Sequence, residues 1–278
     1  MTTVNLPYID AEIEQMDGGG EPPAYLRHFH WGLFDDPTVD DDNPERYYAA
    51  AENLTRRILD AAEVTDGRRV LDVGCGFGGT LDTIRARNTG CRLVGLNIDV
   101  RQLQWARRML AAREDAASKG PISFVTGDGC KLPVEDASVD HVLAVECIFH
   151  FPSRKAFFRE AARVLKPGGT LALSDFLLAP GSIGSVTANV LSLGLGDWYG
   201  RSASPLTSTA YERMGRGSGL EQLVDENITT HTLPTYPAMR RIYNEAGAPD
   251  GVATIDGVEQ LAVAGGWEYH VLAYRKPA

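Results

Sequence analysis

The chemistry of this chain is most concentrated where an acid stands two residues ahead of a glycine-rich turn. In Val70-Leu71-Asp72-Val73-Gly74-Cys75-Gly76-Phe77-Gly78-Gly79-Thr80, an apolar run carries Asp72 near its end and opens into four glycines. Glycines let a backbone approach a ligand closely and accept positive φ. A helix that starts there presents unpaired N–H groups and the positive end of its dipole. The turn therefore suits a nucleotide-like ligand, and Asp72, inside the strand end, would face a ligand amine rather than a pyrophosphate. Gly74, Gly76 and Gly79 also satisfy G-x-G-x-x-G, so an NAD(P)-dependent oxidoreductase is an alternative. Against it, the next strand, Leu93-Val94-Gly95-Leu96-Asn97, ends in Asn97, where a dinucleotide site favours an acid for the ribose.

Further reactive side chains stand where strands end. Gly127-Asp128-Gly129-Cys130 follows Ile122–Thr126, Glu146-Cys147-Ile148-Phe149-His150 follows the apolar run Val139–Val145, and Asp175 closes Thr170–Asp175. Open α/β sheets bind ligands at these carboxyl ends. An imidazole, with an ordinary pKa near 6.5, suits proton removal. The bland alternative is that His150, ahead of Pro152, is structural, and that Glu146 only holds loop amides.

The stretch from Val70 to Thr80 resembles motif I of the class I S-adenosylmethionine (SAM) methyltransferases. So do Lys131-Leu132-Pro133, Asp136–Asp140, and Arg163-Val164-Leu165-Lys166-Pro167-Gly168-Gly169 running into Asp175. The resemblance covers about residues 69–175 and is closest to the small-molecule branch, natural-product sugar O-methyltransferases and UbiE-like enzymes. It implies SAM as cofactor. Asp72, Gly74, Cys75, Gly76 and Gly78 would hold its amino-acid end, with Trp31 and Glu146 also against it. Asn97, Ile98 and Gln102 would hold the ribose, in the subset with Gly-x-Asn-x-x-x-x-Gln rather than an acid. Asp128, with Gly127 and Gly129, would accept the adenine amino group, and Cys130 would lie beside the ring. His150 would be the general base and Asp175 would orient it or bind the acceptor. Phe149 stands where the related enzymes carry a first histidine.

These residues need a scaffold. The resemblance implies an α/β, Rossmann-like seven-stranded sheet, mostly parallel with the last strand antiparallel, and helices on both faces. The final strands, about Val224–Thr230 and Tyr269–Tyr274, would form an antiparallel hairpin. Helices are expected over Leu81–Asn88, Pro44–Ala62 (with Asn43 as N-cap and Tyr48, Ala51, Leu54, Ile58 and Leu59 inward), from Asp99 onward, Pro152–Leu165, Leu206–Arg216, Pro237–Asn244 and Asp256–Ala264. Residues 1–43 read as an N-terminal helical arm, hinged at Gly18-Gly19-Gly20, that either packs on the core through its apolar residues or closes as a lid over the ligand. Residues 44–278 read as the catalytic domain, with a lid insertion after the fifth strand at about 178–208. The arm's Tyr25, His28 and His30, together with Phe149 and the insertion's Trp198 and Tyr199, are candidates for acceptor binding.

The chain has 278 residues and a net charge of −10, with 44% hydrophobic residues. An acidic chain without a basic block is a poor partner for nucleic acid. The pairs Arg56-Arg57, Arg107-Arg108 and Arg240-Arg241 read as solvated helix faces. Four scattered cysteines without CxxC spacing fit reduced thiols and no metal site. With no signal sequence and no apolar run long enough to span a bilayer, a cytoplasmic protein is expected; the apolar insertion could shape an acceptor pocket or mediate homo-oligomer contacts. The expected activity is SAM-dependent methylation of a small molecule, foremost O-methylation of a secondary metabolite. Alternatives are C-methylation of an isoprenoid or quinol, N-methylation of a small amine, and a SAM-binding protein that transfers no methyl group, such as a pathway cyclase.

Overall fold

The computed structural model describes residues 6–39, 42–112, 122–182 and 205–278. Among them, β1 (Arg69–Val73), β2 (Arg92–Asn97), β3 (Ile122–Thr126), β4 (Val139–Val145), β5 (Leu165–Leu178), β6 (Glu221–Asn227) and β7 (Trp267–Arg275) form one sheet. Its order is β3-β2-β1-β4-β5-β7-β6. The first five strands pair in parallel, and β7 runs antiparallel to both β5 and β6. The chain order reverses between β1 and β4, which opens a crevice at their carboxyl ends, the ligand position of doubly wound sheets.

The central strands read as continuous apolar runs because both faces are covered. Val142 and Ala144 of β4, with Leu71, Val73, Leu171 and Leu173, face α5 (Arg154–Val164) and α6 (Ser208–Gly217). Leu143, Val70 and Ala172 face the opposite core, built by α1 (Pro7–Asp17), α2 (Pro44–Ala61), α3 (Gly79–Arg87) and α4 (Val100–Ala111). Residues on one strand thus alternate between two cores, as a period of two requires.

Local signals set the helix starts. Asn43 accepts from the Glu45 N–H at 3.0 Å and Pro44 opens α2. Asp99 caps α4 by accepting from Arg101 N–H at 2.8 Å. On α2, Tyr47 rather than Tyr48 takes the buried position. The fifth helix starts at Arg154, not Pro152, because the Ser153 side chain caps it. Lys166–Gly169 ends that helix as expected and then bulges from the sheet, since Val139 pairs with Leu165 while His141 pairs with Thr170.

The last two strands are not a hairpin. Between them lie α7 (Thr229–Thr232), α8 (Thr235–Glu245) and α9 (Pro249–Val263), whose Tyr236, Met239, Ile242 and Ile255 join the core of α1 and α2. The insertion's stem is described only at its ends, where Leu178 N–H donates to the Leu206 carbonyl at 3.0 Å. Trp198 and Tyr199 lie outside the described residues.

The arm packs into this same core through Ile9, Ile13, Met16, Leu26 and Trp31. Its backbone crosses the start of α3 so closely that a Cβ on Gly79 would lie 1.6 Å from the Arg27 carbonyl oxygen. Gly79→Ala must therefore lift the arm. Limited trypsin digestion should cut the variant near Arg27 at least tenfold faster than the wild type, and an unchanged cleavage rate would refute this contact.

Candidate functional site

A cavity of about 400 Å³ lies at the carboxyl ends of β1, β2 and β4. Gly74 and Gly76 form its floor, Asn97, Ile98 and Gln102 one side, and Gly127, Asp128 and Gly129 the far end. Glu146 and His150 stand on the β4 side, and Tyr8, Ile9 and Phe29 of the arm close the roof. A smaller hollow of about 50 Å³ continues from it, shares Gly74, Gly76, Phe77 and Phe29, and reaches Asp72 and Cys75.

The floor is built as the glycine spacing demands. Gly74 has φ +78, and a Cβ there would meet the Cys147 sulfur at 2.6 Å. Gly76 has φ +51 with nothing within 4 Å of its Cβ position, so the turn stays open toward a ligand. Gly78, φ +86, is the N-cap of α3, where a Cβ would press on Leu110; it is off the cavity wall. Cys75 N–H donates to the Leu96 carbonyl at 3.1 Å.

Asp72 is 1% exposed and its Oδ2 has no hydrogen-bond partner. Burial pushes its carboxyl up to about 7. A buried acid without a donor calls for one from a ligand. At the end of β2, Asn97 donates through Nδ2 to Gln102 Oε1 at 2.6 Å and accepts from Asp99 N–H at 3.1 Å, so the two amides are held beside the cavity. Asp128 accepts from Cys130 N–H at 2.8 Å, which fixes its loop. The orphaned acid, the open glycine turn, the amide pair and the terminal carboxylate fit the amine, backbone, ribose and adenine of SAM in turn.

On the β4 side, His150 Nε2 lies 3.1 Å from the Tyr8 hydroxyl. Glu146 accepts from Trp31 N–H at 2.9 Å and from the Tyr269 hydroxyl, and it lines the cavity with φ +46. Burial drives its carboxyl up to about 8.

Other expected site residues stand off the main cavity, though His28 and His30 line the smaller hollow that reaches Asp72. Asp175 is fully buried, and its carboxylate is taken by Arg154, the Tyr211 hydroxyl and Phe176 N–H, so it does not orient His150. Its acidity is weakened by burial, against which Arg154 acts. Cys130 is off the cavity wall, its sulfur 3.4 Å from the Ser153 carbonyl. Trp31 contributes its backbone N–H; its indole packs edge-on against Phe176 at 5.2 Å and Tyr236 at 5.8 Å. Tyr25 donates to Glu12 at 2.6 Å. His28 is bonded to Glu52 at 2.7 Å, and His30 to Thr55 at 3.1 Å and the Trp31 carbonyl at 2.9 Å. Burial lowers the basicity of both, His30 to about 3, so they serve as neutral ties of the arm to α2. Phe149 packs on the His150 ring at 4.3 Å but is not on the wall. The sequence reading missed Tyr8. The arm was expected to be helical, yet nothing local tells which of its aromatics turns to a residue 142 positions away.

Asp72 makes stability depend on pH. Its folded carboxyl holds a proton to about 7, whereas an unfolded Asp releases it near 3.9. The folded state therefore binds more protons, and stability falls as pH rises from about 4 to 7, then levels. Asp72→Asn removes that loss. Ligand-free Asp72→Asn should gain several degrees in Tm over the wild type at pH 8 but little at pH 4.5, while binding S-adenosylhomocysteine at least tenfold more weakly. A Tm difference that does not vary with pH would refute the assignment.

A family model described as a methyltransferase domain matches residues 71–173. The methyltransferase GfsG of Streptomyces halstedii is 33% identical over 218 residues, covering 77% of this chain and 73% of that protein. The 27-O-demethylrifamycin SV methyltransferase of Amycolatopsis mediterranei is 32% identical over 213 residues, covering 76% and 72%. Among solved structures, the cyclase SpnF superposes over 100% of both chains with a TM-score of 0.76 at 19% identity, a likeness of fold. These matches favour a methyl donor over a nicotinamide coenzyme at the glycine turn. By sequence, fold and the fit of its cavity, the chain belongs to the class I SAM-dependent methyltransferases.

Proposed function

We propose that this enzyme O-methylates a small-molecule secondary metabolite, with His150 as the base that takes the acceptor's proton. The observation that carries the reading is the Tyr8 hydroxyl 3.1 Å from His150 Nε2 on the cavity wall. That nitrogen already engages a hydroxyl, as an acceptor hydroxyl would have to be engaged. The aryl ring of Tyr8, stacked on Phe29 at 5.5 Å, belongs to the arm, so the acceptor enters as α1 gives way.

When bound, SAM supplies an electrophilic methyl group on a sulfonium. The chain's own residues do the rest. Asp72 holds the ammonium, Asn97 and Gln102 the ribose hydroxyls, and Asp128 the adenine amine. The arm excludes water and His150 removes the hydroxyl proton, while the cavity holds the acceptor oxygen in line with the methyl. Support for an oxygen acceptor comes also from the rifamycin relative, which is named for methylation at an oxygen.

A small acceptor agrees with how the cationic side chains are spent. Arg56 and Arg57 pair with Glu52 and Glu226, and Arg240 and Arg241 with Asp256, Glu259, Asp42 and Glu245. Arg107 donates to the Phe124 carbonyl at 3.1 Å. These pairs are engaged within the chain rather than gathered into a phosphate-binding patch. No described helix is long and apolar enough to cross a membrane.

His150→Ala and His150→Gln, assayed with SAM and a panel of hydroxylated natural products, should lose about 10²–10⁴-fold in kcat, the usual range for a general base. Their affinity for S-adenosylhomocysteine should stay within twofold of the wild type. Unchanged turnover would move the reading to a carbon acceptor, and SAM binding without methylation of any extract would move it to a cyclase-type protein.

A further inference from the structure

Two carboxylates besides Asp72 border the cavity system, and Glu146 differs from Asp128 in how it is held. Glu146 sits immediately after β4 with φ +46, a left-handed conformation that costs a non-glycine residue energy and persists only when its surroundings enforce it. Two donors enforce it, from separate elements: Trp31 N–H of the arm, at 2.9 Å, and the Tyr269 hydroxyl of β7. Both reach Oε2, which leaves Oε1 for whatever fills the cavity that Glu146 lines. Its neighbour Cys147 lies against Gly74, which places this carboxylate beside the glycine turn, on the β4 side of the cavity and across β1 from the amide pair of β2.

Among the described residues, the groups that face Glu146 supply no fixed cation. They are Tyr8 of α1, Tyr47 of α2, Tyr236 of α8, Tyr269 of β7, the adjacent Cys147 and Asp175 of β5. His150 shares the wall and bonds Tyr8. The buried Arg154 is committed to Asp175 and Tyr211. A carboxylate with two hydrogen-bond donors but no counterion is an incomplete ion pair.

We infer that Glu146 is the counter-charge for the positive centre at the reacting end of the cofactor, and that it makes the site prefer the methylated cation over the neutral thioether product. Once the methyl group has gone, the positive charge has gone too, and the carboxylate no longer favours what remains. This rests on the cofactor assignment and not on the oxygen acceptor, because it is read from binding without any acceptor present.

Calorimetry at pH 8.5 with SAM, the amine analogue sinefungin and S-adenosylhomocysteine tests it on wild type and Glu146→Gln. The glutamine keeps an oxygen for Trp31 and Tyr269 but carries no charge. It should lose at least tenfold in affinity for both cationic ligands and stay within twofold for the thioether, whose binding also reports an intact fold. Equal loss for all three, or none, would overturn the inference. If Glu146→Gln binds none of them, the pH dependence on a His150→Gln background decides, where no imidazole on the wall titrates. Burial holds the Glu146 carboxyl up to about 8, so its ionisation must accompany cation binding. The SAM-to-thioether affinity ratio should then rise severalfold from pH 6 to pH 8.5; a flat ratio overturns the assignment. Asp72 meets the same ammonium in both ligands and cancels from that ratio.

Discussion

Everything at the cavity depends on the close approach of two backbones. The arm's Arg27 carbonyl occupies the space that a side chain on Gly79 would fill. Only a glycine there lets the arm lie across the start of α3, and only then do Phe29, Ile9 and Tyr8 come over the cavity as its roof. The same crossing delivers Trp31 N–H to Glu146 and so joins the arm to the end of β4. Sheet topology supplies the crevice, but the glycine turn decides how tightly it can be covered.

That coverage has an electrostatic consequence. Asp72 is shut away from water and Glu146 is half-buried on the cavity wall, neither has a paired cation among the described residues, and burial weakens the acidity of both. Such groups detract from the stability of the empty protein, and on the reading proposed above a cationic ligand would supply the missing charge. Asp175 shows the opposite solution. It is fully buried, yet Arg154 and Tyr211 complete it, and it belongs to the framework.

The sheet was largely legible in the sequence because its signals are local: apolar runs closed by glycine, and caps at Asn43 and Asp99. The cofactor cavity was legible for the same reason, since Asp72 and Asn97 stand in the last two residues of a strand and Gly76, Asp128 and Gln102 in the turn or helix that comes next. What escaped was decided by long-range partners. Nothing beside Asp175 announces Arg154 and Tyr211, and nothing near His28 and His30 shows that Glu52 and Thr55 will bind them. Helix α9 was read short, as Asp256–Ala264, although Pro249 at its first turn was the available signal; its apolar residues are spread around the helix rather than striped. The final strands pair antiparallel as expected, and two of the three helices between them match the expected Pro237–Asn244 and Asp256–Ala264; only the hairpin connection fails, because those helices cover core that belongs to the arm and α2.

The ends of the insertion after β5 are fastened independently of what lies between them. Leu177 bridges Leu206, Leu178 bonds the Leu206 carbonyl, and Asp175 and Tyr211 join β5 to α6 in the buried framework. The entropic cost of closing such a segment grows only slowly with its length, and the stem holds its two ends together. A stem anchored in the framework thus tolerates a change in the length of the span it closes without moving the strands that carry the cavity.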